Sequence, residues 1–216
     1  MRMRKKKWAQ PELDVCPYYV KDPTSYFGKW NTFFKNSNNP LELEIGCGKC
    51  TFIAKKALNN PNINYLAVDI KSDMLGVGRR NIEKIFDGKE VSNIALIPFN
   101  VEFIDKLISK EDKIQNMYIN FCNPWPRAKH NKRRLTYPKK LKVYYDFLVP
   151  GAKIYFKTDN DDLFEDSLNY FLESKFHVNY LTHDLHNSEI TDNIITEHEK
   201  MFSNEGIKIK YLEASK

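Results

Sequence analysis

Leu41-Glu42-Leu43-Glu44-Ile45-Gly46-Cys47-Gly48 is a short strand-like run closed by two glycines, and Phe52, Ile53 and Ala57 follow it at helical spacing. The pattern predicts a strand that turns tightly into a helix, with the glycines supplying backbone angles other residues resist. Tyr65–Ile70, Ile94–Pro98, Met117–Cys122 and Lys153–Phe156 are further apolar runs bounded by turn residues and read as buried strands. Between them, Ser72–Phe86 repeats apolar residues at Leu75, Ile82, Ile85 and Phe86, and Asp161–Phe176 does so at Phe164, Leu168, Phe171 and Leu172. Those three- and four-residue steps predict amphipathic helices. Alternating strand and helix implies an α/β domain with a mostly parallel sheet and helices on both faces. Ile207–Leu212 alternates apolar and polar residues, so the sheet is expected to finish with an antiparallel pair.

In an open sheet of this kind ligands bind beyond the carboxyl end of the first strand. A dinucleotide fingerprint wants a third glycine at position 51, where Thr51 stands. Glu44 lies two residues before Gly46, and an anion beside the turn suits a cationic cofactor better than a pyrophosphate. Asp69, ending the second run, is placed to accept hydrogen bonds from a ribose diol. Glu44, Gly46, Gly48 and Asp69 together point to S-adenosylmethionine. A nicotinamide-dependent oxidoreductase is the competing enzyme class. Cys47 and Cys50 form a C-x-x-C, but no second cysteine pair exists and His177, His183, His186 and His198 lack finger spacing, so no metal is expected.

The run Tyr118–Cys122 breaks at Asn123-Pro124-Trp125-Pro126 and passes into Arg127, Lys129, His130, Lys132, Arg133 and Arg134. A strand ending in a proline-fenced turn brings a polar and an aromatic side chain to the rim of a fold, and the positive charges beside it make a docking edge for a polyanion.

The chain of 216 residues carries a net charge of +6, unevenly spread. Arg2, Arg4, Lys5, Lys6 and Lys7 contribute +5, the five basic residues from Arg127 to Arg134 another +5, and the rest is left at −4. Two basic patches on an acidic body fit a nucleic-acid or acidic-lipid partner. The length allows one cored domain, read as a basic arm and linker over residues 1–39 and a sheet domain over 40–216, with Asn-rich Lys35–Pro40 as the junction. The basic start Met1–Trp8 has no apolar stretch after it, no run reaches the length of a membrane helix, and Cys16, Cys47, Cys50 and Cys122 show no disulfide framework. A cytoplasmic protein without a membrane partner is the expectation.

Several motifs resemble one family, the tRNA (guanine-N7-)-methyltransferases, nearly end to end. They are Met1-Arg2-Met3-Arg4-Lys5-Lys6-Lys7-Trp8-Ala9, Gly28-Lys29-Trp30, Leu43–Lys49, Asn123-Pro124-Trp125-Pro126 with Lys132-Arg133-Arg134-Leu135, Lys157-Thr158-Asp159, and Thr196-Glu197-His198-Glu199-Lys200. The resemblance implies a Rossmann-like class I fold with a seven-stranded sheet, S-adenosylmethionine as methyl donor and N7 of a variable-loop guanosine in tRNA as acceptor. It implies that Glu44, Asp69 and Asn100 hold the cofactor, that Arg127, Asp159, Thr196 and Glu199 contact the guanosine, and that Asn123 stands at the catalytic position and beside the cofactor. Lys129, Lys132, Arg133 and Arg134, with Arg4, Lys5, Lys6 and Lys7, are then tRNA backbone contacts. A monomer and a homodimer are both compatible with it.

Two positions depart from the family pattern. Aspartate is usual where this chain has Asn123, and glycine where it has Cys50, a change expected to be tolerated if the helix has begun there. Asn123 motivates a third reading, an RNA-binding module with a vestigial cofactor site. Plainer roles also stand: Asp159 as a helix cap, Thr196 and Glu199 as a capping box, Asn100 as a strand terminator, Trp125 as loop architecture and the basic run as a solvated face.

Overall fold

The computed structural model describes residues 5–216 and resolves into two compact units, one ending at Ile108 and the other starting at Ser109. In the first, β1 (Leu41–Ile45), β2 (Asn64–Asp69) and β3 (Ile94–Pro98) run parallel with β2 in the middle. Parallel neighbours need a crossover, and α2 (Thr51–Asn59) and α3 (Ser72–Phe86) provide the two. Ile53, Ala54 and Ala57 of α2 and Leu75 and Ile82 of α3 pack on Tyr65, Ala67 and Leu96 of the strands. All five residues of β1 are buried, Glu42 and Glu44 included.

Residues 5–39, expected as an arm and linker, run over this unit and bury their own apolar side chains in it. A short helix, α1 (Ala9–Asp14), lies against α3, where Gly76 leaves room for it: a Cβ on Gly76 would come within 2.5 Å of the Ala9 Cβ. Leu13 and Trp30 are fully buried, and the Trp30 indole N–H donates to the Leu107 carbonyl at 2.8 Å. Val20 N–H donates to the Leu96 carbonyl and Leu96 N–H to the Tyr18 carbonyl, so residues 18–20 pair along the outer side of β3.

The second unit holds β4 (Ile114–Asn120), β5 (Leu148–Thr158), β6 (His177–Thr182) and β7 (Lys210–Ser215). β4 and β5 are parallel, β7 is antiparallel to β5, and β6 is antiparallel to β7. The antiparallel finish is as expected, although the last strand starts at Lys210 rather than Ile207. Helices α4 (Pro138–Phe147), α5 (Asp161–Leu172) and α6 (Glu197–Asn204) complete it. α5 starts under an Asn160 cap that accepts from Leu163 N–H and carries two aspartates in its first turn, which favour the positive end of its dipole. Its buried stripe is Leu163, Phe164, Ser167 and Phe171, while Leu172 is 62% exposed. β4 ends at Asn120 rather than Cys122 because Phe121 takes a positive φ of 52°. No helix among the described residues is long and apolar enough to cross a membrane.

Candidate active site

Two clusters of the expected residues form, one in each unit. In the first, the turn after β1 is held by its own N–H groups. Gly46 and Cys47 both donate to the Val68 carbonyl, at 2.8 and 3.1 Å, and Gly48 donates to Asp69 Oδ2 at 3.1 Å. Gly46 at φ 73° and Gly48 at φ 53° occupy the left-handed region that only glycine enters cheaply. Asp69 Oδ1 also accepts from Lys71 N–H at 2.8 Å, so one carboxylate ties the turn after β1 to the turn after β2. Burial pushes the Asp69 carboxyl above its ordinary range, and the N–H groups of Lys71 and Gly48 pull it part of the way back. The Ile70 N–H adds a third donor, and the carboxylate, with about four acceptor sites, keeps room for another.

A phosphate cradle needs backbone N–H groups turned outward. Here those of Gly46, Cys47 and Gly48 are turned onto Val68 and Asp69. What the turn offers is acceptors: the Asp69 carboxylate, with Glu44 2% exposed at the end of β1. Carboxylates placed at this turn fit a ligand carrying hydroxyls and positive charge, as S-adenosylmethionine does, better than a pyrophosphate. Asn100 follows β3, where its side chain accepts from Glu102 N–H at 3.0 Å and caps a short turn, Val101–Lys106.

The expectation for Cys50 is corrected. Helix α2 starts at Thr51, and Cys50 precedes it at φ 58°, ψ 17°. A glycine there would be relaxed, whereas a side chain costs about 1–2 kcal/mol in that conformation. Cys47 and Cys50 are free thiols 3.6 Å apart, both buried, and burial pushes the Cys47 thiol far above its ordinary range, which suits packing rather than reactivity. Among the described residues no group of three or more His, Cys, Asp or Glu side chains is arranged to hold a metal ion.

In the second unit the proline-fenced turn leaves β4 as expected. Asn123 is exposed, and its Oδ1 accepts from Trp125 N–H at 3.0 Å, a local turn that an aspartate would also make. Trp125 is loop architecture: its ring lies edge-on to His130 and under the Arg133 guanidinium, 5.0 Å from the ring centre. Arg127, Lys129, Lys132 and Arg133 are exposed. Arg134 is not a surface cation: it is 3% exposed, donates from Nε to the Pro124 carbonyl at 2.8 Å and pairs with Asp166. It fastens the turn to α5, so phosphate is out of its reach. Of the N-terminal cations, Lys5 and Lys7 are exposed, Lys6 donates its backbone N–H to Asp73, and Arg4 lies outside the described residues.

Asp159 is half-buried just past β5, and the cap of α5 is its neighbour Asn160, so the Asp159 carboxylate is not spent on the helix. Its backbone carbonyl accepts from Lys210 Nζ at 3.0 Å. Thr196 and Glu199 make the capping box: Glu199 N–H donates to Thr196 Oγ1 at 3.0 Å and Thr196 N–H to Glu199 Oε2 at 3.3 Å. Glu199 is fully buried and both its oxygens are engaged, Oε2 also by Lys157 and Oε1 by His186 and Asn193. This overturns its expected place on the guanosine, because no side of the carboxylate is left open. Burial would raise the Glu199 carboxyl, but the Lys157 charge and the donors from His186, Asn193 and Lys157 outweigh it and hold it below its ordinary range.

Lys157, Lys210, His186 and Asn193 are the site-building residues that sequence reasoning passed over. A strand residue that reads as lysine is expected to reach solvent, and its partner Glu199 is 42 residues away. Only the buried, apolar surroundings of β5 carried a signal.

Residues 38–212 match a protein family described as "Putative methyltransferase". Similar chains include the tRNA (guanine-N(7)-)-methyltransferase of Clostridium perfringens (strain SM101 / Type A), 52% identical over 100% of both chains. That of Clostridium beijerinckii is 53% identical over 100% of this chain and 99% of its own. Among solved structures, the 16S rRNA methyltransferase KamB superposes with a TM-score of 0.59 over 82% of this chain and 87% of its own, at 12% identity. An antibiotic-related methyltransferase gives 0.56 at 16% identity over 82% and 87%. These distant matches bear on architecture alone, and they share the Rossmann-like class I methyltransferase fold with this chain. Identity above one half over the full length makes this chain a member of the tRNA (guanine-N7-)-methyltransferase family.

Proposed function

We propose that the protein methylates guanosine N7 in tRNA with S-adenosylmethionine as methyl donor, acting on the variable-loop guanosine in the cytoplasm. The observation that carries the methylation of guanine N7 in tRNA is the identity of 52% over the whole chain to a protein named for that reaction, and the variable-loop position and the cytoplasm extend it by resemblance. Glu44, Asp69 and Asn100, with the Gly46 and Gly48 turn, would hold the cofactor: Asp69 would accept from the ribose hydroxyls, and the acidic side chains would favour the sulfonium. That group would supply an electrophilic methyl for the N7 lone pair, its sulfur leaving with the electron pair of the old bond.

N7 of guanine carries a lone pair and no proton, so no general base is required and the protein's task is alignment. Holding nucleophile and methyl in line is worth an effective concentration on the order of 10⁵ to 10⁸ M. The guanine edge presents N1–H and N2–H donors, which the Asp159 carboxylate and the Asn123 carboxamide oxygen can accept. As the base becomes cationic, a fixed carboxylate stabilises it more strongly in a dry pocket than in water. Thr196 would border the guanine as well, with the buried Glu199 that it caps as an internal brace. Arg127, Lys129, Lys132 and Arg133, with Lys5 and Lys7, would take phosphates and set the register of the RNA.

The test is incubation with unmodified tRNA and labelled methyl donor, followed by nucleoside analysis and mapping of the modified position. N7-methylguanosine in the variable loop is the expected product. Labelled N7-methylguanosine elsewhere would refute the position, and its absence would refute the activity.

A further inference from the structure

We propose that Phe121 and His198 form the surface on which the target guanine stacks, an assignment that rests on the methyl transfer to guanosine inferred above. Phe121 is the first residue past β4. Its N–H still donates to the Lys157 carbonyl at 2.9 Å, but its φ of 52° lies in a region where a bulky aromatic residue is strained. Trp125, four residues on, is also left-handed at φ 45°, so two strained aromatics bracket Asn123. Such strain persists where surrounding structure enforces it, and it concentrates at functional sites.

The Trp125 ring is accounted for by His130 and Arg133. The Phe121 ring instead lies 6.0 Å from both His198 and Phe202, within 20° and 24° of parallel, and His198 and Phe202 are 28° apart at 6.4 Å. Three near-parallel, mutually stacked rings therefore form one small aromatic array. Its inner side is fixed, because Phe121 and Phe202 pack on the Leu185, Ile209 and Tyr211 cluster. Its outer side is wet, because His198 is exposed and Phe121 only half-buried. An array serving packing alone gains nothing by carrying an imidazole into solvent beside the turn that holds Asn123.

The chemistry of the base matches. A guanosine drawn out of its neighbours loses stacking and recovers it on a protein aromatic face, the usual means by which unpaired bases are held. Alkylation at N7 makes the purine a cation, and a cation over an aromatic face is attracted by the ring quadrupole. The contact therefore strengthens as the methyl arrives, and only such differential binding accelerates a step.

The experiment uses the full-length protein with His198→Leu, His198→Tyr and Phe121→Leu. His198→Leu and Phe121→Leu should lower kcat/KM for tRNA about 5- to 100-fold, with S-adenosylmethionine affinity unchanged. His198→Tyr should restore the rate, because it returns an aromatic face. N7-methylguanosine monophosphate should bind the wild type more tightly than guanosine monophosphate does, and His198→Leu should erase the difference. His198 is exposed, so its variants test the platform without threatening the fold. A His198→Leu enzyme as active as wild type, or leucine and tyrosine variants equally impaired, would overturn the assignment while leaving the methylation itself intact. A wild-type protein that makes no N7-methylguanosine would instead remove the reading beneath it.

Discussion

Lys157 Nζ lies 3.2 Å from Glu199 Oε2, with 6% and 0% of the two side chains exposed. Neither charge has water to fall back on, so each depends on the other and on Asn193, His186 and the Ile194 carbonyl. Glu199→Ala should destabilise the protein by about 3–5 kcal/mol, since it strands an ammonium in the interior. Adding Lys157→Met should recover much of that loss, and denaturant melts of the two single variants and the double variant measure the coupling.

The same carboxylate sets an acid limit. Its folded-state pKa lies below its ordinary value of 4.5, so the native state takes up the proton less readily than the unfolded chain. The stabilisation is complete above the ordinary value and is lost as pH falls through the lowered one. Asp69, shifted upward by burial, contributes in the opposite sense and favours the folded state toward lower pH. Unfolding free energy measured from pH 6 to 3 should fall less steeply in Glu199→Gln than in wild type.

Arg133 and Arg134 are neighbours in sequence with different work. Arg133→Ala should reduce the slope of log K against log salt for tRNA binding by about 0.7 to 0.9, the loss of one phosphate contact. Arg134→Ala should leave that slope unchanged and lower the melting temperature, because it frees the Pro124 carbonyl and Asp166 from their partner. Titrations at several salt concentrations separate the two.

Gly78 faces Cys50 across the first unit: a Cβ on Gly78 would meet the Cys50 sulfur at 2.5 Å. Gly78→Ala should cost about 1–3 kcal/mol by overpacking. Cys50→Gly relieves the left-handed strain and opens the space, so the double variant should be more stable than Gly78→Ala alone. Thermal melts of the set check it.

Asn123→Asp keeps the oxygen that accepts from Trp125 N–H and adds a charge toward a base that becomes cationic. Turnover in single-turnover assays should be preserved or raised. A large loss of rate would mean that the pocket is built around the amide.

How much was legible follows from where each signal lies. The β1 turn was readable because a run, two glycines and a helix periodicity adjoin in sequence. The capping box at Thr196 and Glu199 was legible as local spacing, but its burial was not, because that depends on Lys157 and His186 reaching it from distant elements. Arg134 looked like its exposed neighbours, since sequence does not say which side of a turn meets α5. β6 was missed because its alternation is short: Val178 and Tyr180 share a half-buried face, but the pattern breaks at Leu181, an apolar residue on the exposed side. The Cys50 error came from placing the helix start one residue early, a shift that turns an ordinary position into a left-handed one.

The pairing of residues 18–20 along β3 bears on how the chain survives its own synthesis. An uncovered strand rim is a template for sticky growth by other molecules, and partly made chains are the most vulnerable to it. Here the cover precedes the strand by about seventy-five residues and leaves the ribosome first. The rim of β3 can therefore be sealed as soon as it emerges, before another nascent chain can add to it.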